Sequence, residues 1–427
     1  LMGKFDNKKV TEQDLFEKYD MKKKPVKQKW YLKILAWLIC LPVLLSPKRK
    51  VIKIGMEKIK PPYVLLCNHN AFLDFKVTTK AIFPHSANYV VAIDGFIHRE
   101  KLLRSVGCIS KRKFTNDILL VRHILYTLNT LKQIVALYPE ARYSLIGTSS
   151  VLPDSLGKML KLVKVPVVVL NMKGHYLDSP FWNLKHRNNR TEATMTKILD
   201  VEDLKKLSID EINDRIQKAF VYNEYQWQKD HNIRITYQQR AEGIHKILYK
   251  CPSCLIEHEM DSKDNTIFCK QCGKKYEMDE FGVLRATAGK TEFSHIPDWY
   301  DWEREEVRKE ILAGKYVIED DVDVDSLPNA KGFISIGPGH LKHDANGFVL
   351  DYELNGEKKQ LIKDVASMYS CHIELEYNDK GDCIDLSTLD DTFHAYFKNL
   401  QNVVTKIHFA TEELYKLNKE KENKVNH

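Results

Sequence analysis

Four cysteines constrain the folding of this 427-residue chain more than any other feature: Cys251 and Cys254, then, after fourteen residues, Cys269 and Cys272 with Gly273 behind them. Two Cys-x-x-Cys turns at that spacing bring four thiolates to one point, the donor set of a tetrahedral zinc ion. With all four positions filled by protein, the ion has no open coordination site. Its part is structural, standing in for the core that so short a segment cannot build. Residues 246–285 therefore read as a zinc ribbon. Its Lys270, Lys274 and Lys275 are offset by Glu257, Glu259, Asp261 and Asp264. That balance is unlike the basic patch of a nucleic-acid binder, so nucleic acid is not expected as a partner. The other five cysteines (Cys40, Cys67, Cys108, Cys371 and Cys383) are scattered, as expected of reduced thiols in a cytoplasmic protein.

The net charge of +8 is uneven: Glu57 is the only acid in residues 21–60, while residues 319–325 are strongly acidic. The basic block suggests a polyanionic partner, and the apolar run inside it suggests which. Residues 30–45 are apolar apart from Lys33 and carry Pro42; Lys22, Lys23 and Lys24 precede them and Lys48, Arg49 and Lys50 follow. The run starts too late for a usual signal peptide and is shorter than the roughly 20 residues of a membrane span. With Trp30 and Trp37 it reads as an interfacial or re-entrant anchor on an anionic membrane surface. The expectation is peripheral or monotopic attachment to the inner face of the cell membrane, with residues 1–50 as a basic arm and membrane helix.

Beyond residue 50, apolar runs bounded by turn residues predict strands at 51–54, 63–67, 88–93, 106–110, 134–138 and 165–172. Helical periodicity predicts helices at 71–82, 116–132 and 151–163. Their alternation implies an α/β domain with a mixed sheet flanked by helices over 51–245, closed by a charged helical linker. Residues 286–427 change texture. After an acidic linker, residues 332–336, 347–354 and 372–377 alternate at period two, with turn signals at Asn355-Gly356 and Lys380-Gly381. A long helix over 392–419 is predicted to cap this β-rich domain.

Between an apolar strand and a helix lies Asn68-His69-Asn70-Ala71-Phe72-Leu73-Asp74. Five residues of helix turn through roughly 500°, so His69 and Asp74 cannot share a helical face. His69 is placed in the loop and Asp74 in the first helical turn, with Asn70 as N-cap. A carboxylate folded back onto one imidazole nitrogen leaves the other free to act as a general base. His175 and His186, past a later strand end, read as structural.

Downstream segments follow in an order and spacing that resembles the PlsC-like glycerolipid acyltransferase family over roughly residues 50–190. Asn68, His69 and Asp74 match its first motif. Gly107 and Ile109 match the second, whose Arg position falls on Lys113 with Arg112 one place early. Pro139 and Glu140 match the third, where Ala141 stands for the usual Gly and Arg142 is displaced by one. Val165 and Pro166 match the fourth. The resemblance implies an O-acyltransferase that moves a fatty acyl group from acyl-CoA or acyl-ACP to the free hydroxyl of a lysophospholipid, lysophosphatidic acid above all. His69 would be the base and Asp74 its orienting partner. It implies that Asn68, Gly107 and Glu140 line the substrate site, and that Lys111, Arg112, Lys113 and Arg142 hold the phosphate. The altered second and third motifs support a second reading, an enzyme of the same fold with a different acceptor; a third, of a different class, is a zinc-ribbon binding protein with a vestigial enzyme domain.

Overall fold

The computed structural model describes residues 12–425, with side chains from 14 to 424; residues 1–11 of the basic arm lie outside the described residues. The first sheet holds β1 (Arg49–Ile54), β2 (Val64–Cys67), β3 (Ala87–Ala92), β4 (Ile109–Lys111), β5 (Ile134–Leu137), β6 (Val167–Lys173) and β7 (Thr191–Leu199). Their order is β1-β7-β6-β2-β5-β3-β4. From β6 to β4 all neighbours are parallel, and β7 runs antiparallel to β6. The mixed α/β sheet expected from the alternation is present. β7 is the strand that periodicity missed.

Helices cover both faces. They are α1 (Trp30–Leu45), α2 (Leu73–Ile82), α3 (Glu100–Ser105), α4 (Ile118–Asn129), α5 (Ser155–Val163), α6 (His175–Asp178), α7 (Val201–Lys206), α8 (Ile209–Ala219) and α9 (Glu224–Asp230). β2 is buried throughout because both of its faces are apolar. Val64 and Leu66 pack with Leu128 of α4, Leu160 of α5 and Ile212 of α8. Leu65 and Cys67 pack with Leu73 and Val77 of α2 on the other side. The loops after β2, β5, β3 and β4 consequently gather on one edge of the sheet, where α/β proteins place their ligands.

The ribbon follows as an antiparallel sheet of β8 (Met260–Lys263), β9 (Thr266–Cys269), β10 (Lys275–Met278) and β11 (Leu284–Ala286). After α10 (Ile296–Leu312) comes a second large sheet. It contains β12 (Ile318–Ser326), β13 (Ile334–Asp344), β14 (Gly347–Leu354), β15 (Glu357–Asp364), β16 (His372–Glu374), β17 (Cys383–Ser387) and β18 (Thr392–Phe397), in the order β15-β14-β13-β12-β18-β17-β16 and antiparallel throughout. α11 (Val404–Val425) caps it. Two expectations are corrected here. The acidic linker is β12, in which Ile318, Val322 and Val324 point inward while Glu319, Asp321 and Asp323 face solvent. The front of the predicted 392–419 helix is β18, buried on both faces and therefore without a period-two signal.

The C-terminal part is bonded directly to the first sheet. The Arg112 guanidinium donates to the carbonyls of Leu327, Pro328 and Asp390 and to the Thr392 hydroxyl, at 2.9–3.0 Å. Arg142 Nη2 donates to Glu412 Oε1 of α11 at 2.8 Å, and Arg304 of α10 donates to Glu412 Oε2 at 2.6 Å. Glu412 is fully buried. Replacing it with Ala would strand the buried Arg142 and leave Arg304 only its bond to Glu413 at 3.3 Å, so Glu412→Ala is expected to cost roughly 3–5 kcal/mol. Denaturant unfolding of the full chain checks this, and a loss under about 1 kcal/mol would contradict the buried network.

Candidate active site

The loop leaving β2 is clipped before the chemistry begins. Asn68 accepts from the Met172 backbone N–H at 2.7 Å and donates to the Met172 carbonyl at 2.9 Å, tying β2 to β6. Its amide is fully buried, and both its nitrogen and its oxygen are engaged with Met172, so Asn68 holds the loop. The next residue is His69, with a quarter of its side chain exposed.

His69 Nδ1 lies 2.9 Å from Asp74 Oδ2. The same oxygen accepts from the backbone N–H of Asn70 at 2.6 Å and of Ala71 at 3.0 Å. The loop thus closes on the Asp74 carboxylate, and the expected Asn70 cap is corrected: the helix N-cap position is Phe72, with no side-chain cap bond. The other oxygen, Oδ1, lies 2.6 Å from His175 Nδ1. Burial works to raise the Asp74 pKa, but hydrogen bonds from His175 and His69 prevail and lower it to about 2. An ionised carboxylate only accepts, so Nδ1 of each histidine is the donor. His69 Nε2 makes no hydrogen bond among the described residues, which leaves it the lone-pair nitrogen of a base. The His69 ring lies between Tyr138 and Tyr143, with ring centroids 4.3 and 4.4 Å away.

His175 is the residue that sequence reasoning undervalued. It is fully buried, and its Nε2 has no partner. Gly174, at φ 81°, turns the chain out of β6 to place it, and a Cβ there would meet the Arg190 carbonyl at 2.8 Å. Glu224 Oε2 accepts from the Gly174 N–H at 2.7 Å. The signal lay in a glycine directly after a strand end, followed by a histidine.

The loop after β5 closes the site from the other side. Ser144 N–H donates to the His69 carbonyl at 2.8 Å, which fixes Tyr143 over the ring. Ala141 adopts φ 57°, so the left-handed turn that the third motif usually gives to glycine survives with a Cβ on it. Burial pushes the Glu140 carboxyl up to about 7 against the pull of Ser150, Arg142 and the His69 backbone. The Tyr222 hydroxyl donates to Glu140 Oε2 at 3.4 Å.

The expected phosphate cations are dispersed. Arg112 and Arg142 are spent on the C-terminal part, as described above. Lys111 Nζ donates to the Thr115 carbonyl at 2.9 Å. Lys113 Nζ pairs with Asp94 at 2.8 Å, Asp385 at 3.6 Å and Glu374 at 3.9 Å. Gly107 is held in close packing: at φ 87°, an added Cβ would meet the Val26 carbonyl oxygen at 2.4 Å and Asn88 Nδ2 at 2.5 Å.

The four ribbon cysteines do converge. Their sulfurs lie within 4.8 Å of one another, with Cys251–Cys272 and Cys254–Cys269 both at 3.8 Å. A tetrahedron with arms of about 2.3 Å has edges of about 3.8 Å, so the set fits a zinc-sized ion. Matching turns form both knuckles: Leu255 N–H bonds the Cys251 carbonyl at 2.9 Å, and Gly273 N–H bonds that of Cys269 at 3.0 Å.

No protein-family model matches the chain, and no curated protein matches it. Among solved structures, a 1-acyl-sn-glycerophosphate (LPA) acyltransferase, PlsC, from Thermotoga maritima is similar to it. The identity is 12% and the TM-score 0.36, over 44% of this chain and 78% of that one.

Two outcomes follow from this geometry. Asp74 lies below its ordinary pKa, so its stabilising effect is complete above about pH 4 and is lost as pH falls toward 2, on the order of 2 kcal/mol in all. The stability margin of wild type over Asp74→Asn should shrink across that window, and a margin unchanged at pH 2 would contradict the carboxylate's role. For the ribbon, chelation or Cys254→Ser should lower the melting temperature by at least about 5 °C, with about one metal ion lost per chain. An unchanged melting temperature would remove the metal from the account.

Proposed function

We propose that this chain is an O-acyltransferase, passing a fatty acyl group from a thioester donor, acyl-CoA or acyl-ACP, to the hydroxyl of a lipid-borne acceptor. The observation that carries the reading is the Asp74–His69 pair: a buried, ionised carboxylate on Nδ1 and a partnerless Nε2 on a ring a quarter exposed. An alcohol is a poor nucleophile until its proton is removed. His69 Nε2 takes that proton as the oxygen attacks the thioester carbon, and Asp74 offsets the charge gained by the ring. The tetrahedral intermediate then expels the thiolate, which recovers the proton from His69, and the ester forms. His175 is a positioning residue: it holds Oδ1 so that Oδ2 stays on His69.

The acceptor expected from the resemblance, lysophosphatidic acid, needs cations at its phosphate. Each cation expected for that task already has another partner. This favours the second reading, an enzyme of this kind with a different acceptor.

A membrane surface is the proposed place of work. Among the described residues no helix is long and apolar enough to cross a membrane. α1, however, exposes Trp30, Leu38, Ile39 and Leu45 by more than half, and so does Phe72 in the His69 loop. An apolar face beside a lysine-rich segment suits an anionic interface.

The test is acyl transfer from acyl-CoA to a panel of lysolipids on vesicles containing phosphatidylglycerol. His69→Ala should lower turnover about 10²–10⁴-fold. Leu38→Glu should leave transfer in detergent intact and weaken vesicle binding at least about tenfold. Full transfer by His69→Ala, or no acceptor acylated by wild type, would refute the enzyme reading. Unchanged vesicle binding by Leu38→Glu would refute the membrane face.

A further inference from the structure

Along the carboxyl edge of the first sheet, β2 carries His69, β5 carries Tyr143, β3 carries Asp94 and β4 carries Lys113. Adjacent strands are about 4.8 Å apart, so the Asp94–Lys113 end lies roughly 10–14 Å along the sheet from the base. There the edge meets β16 and β17 of the C-terminal sheet, which add Glu374 and Asp385. Three carboxylates thus lie within 4 Å of one ammonium, that of Lys113, and Glu374 also meets His372 Nε2 at 2.8 Å. Lys363, whose charge Asp385 also feels, forms no ion pair with them.

Two further observations indicate that the cluster is more than an internal clasp. His394 is 1% exposed, and neither of its ring nitrogens has a hydrogen-bond partner, although Nε2 points at Asp385 from 3.8 Å. Its ring packs on Tyr377 and Phe333, at centroid distances of 5.2 and 4.3 Å. The cluster is also reachable: the side chains of Asp94 and Glu374 keep 23% and 19% of their exposure. Carboxylates in excess beside aromatic rings form a recognition site for an ammonium group, which gains both charge pairing and the ring quadrupole.

The geometry points to a head-group site at this cluster for an ammonium-bearing acceptor, with Glu374 and Asp94 as its charge partners; this rests on the acyltransferase reading of His69. Asp94 and Glu374 both lie below their ordinary pKa: burial opposes ionisation in each, but Lys113 prevails at Asp94 and His372, with Lys113, at Glu374. All three carboxylates are ionised, so an unpaired phosphate would be repelled where an ammonium is held.

Calorimetry of the full chain with three ligands of one chain length tests it: dodecylammonium, a neutral dodecyl glycerol ether and dodecyl phosphate, each below its micelle concentration. Dodecylammonium should bind at least about tenfold tighter than the neutral ether, with dodecyl phosphate weakest. Glu374→Gln, which keeps shape and can still accept from His372, should remove most of that margin. Asp94→Asn, with its melting temperature measured alongside, serves as the second variant. Equal affinities, a phosphate that binds tightest, or a margin untouched by both variants would overturn the proposal. No turnover is needed. A failure of the acyltransferase reading would appear as lost His69 dependence in the transfer assay with this margin intact.

Discussion

One buried negative charge organises the site. The Asp74 carboxylate has no solvent contact and four donors: two backbone N–H groups and two imidazoles. Taking a carboxylate out of water costs several kcal/mol, and only complete hydrogen bonding offsets it. Each donor therefore has to be delivered by the fold. The strand-to-helix loop supplies the N–H groups, and the Asn68–Met172 clip fixes where that loop starts. The turn at Gly174 supplies His175, and Glu224 holds the turn. His69 is left with a single free nitrogen because everything around Asp74 is over-determined.

The second organising feature is the use made of arginine. A planar fork of donors matches carbonyl groups and carboxylates as readily as it matches phosphate. In this chain Arg112 spans a set of backbone carbonyls from two segments of the C-terminal part, and Arg142 meets the Glu412 carboxylate on α11. The C-terminal sheet and helix thereby take up both guanidinium groups, and the sheet brings Glu374 and Asp385 to the same edge.

The pattern of residues revealed some layers and concealed others for physical reasons. β2, β5 and β6 were legible because short apolar runs bounded by proline or asparagine have few other uses. The hairpin between β14 and β15 was legible because Asn355 and Gly356 both take positive φ, at 55° and 77°. β12 was hidden by its own charges: alternation with Asp and Glu on the solvent face looks like a linker unless period two is counted. β18, buried on both faces, could not be told from helix. The placing of His69 in the loop and Asp74 in the first helical turn was legible from local geometry, because the spacing forbids a shared helical face; the role of the pair came only with the resemblance of the downstream motifs. His175 was not, because its partner lies 101 residues away and depends on β6 ending beside β2. The fates of Arg112 and Arg142 were equally invisible, since their partners lie up to 280 and 270 residues downstream. The four cysteines were the easiest reading of all, because tetrahedral geometry leaves little freedom in their spacing.

The central claim is that Asp74 holds the His69 proton on Nδ1 and leaves Nε2 as the base. Nitrogen-15 spectra of histidine-labelled full chain, taken while the ring is neutral, test this most directly. The account requires the His69 signal to show a protonated Nδ1 and a lone pair on Nε2, with that preference weakened in Asp74→Asn. A neutral His69 carrying its proton on Nε2, or a tautomer indifferent to Asp74, would contradict it.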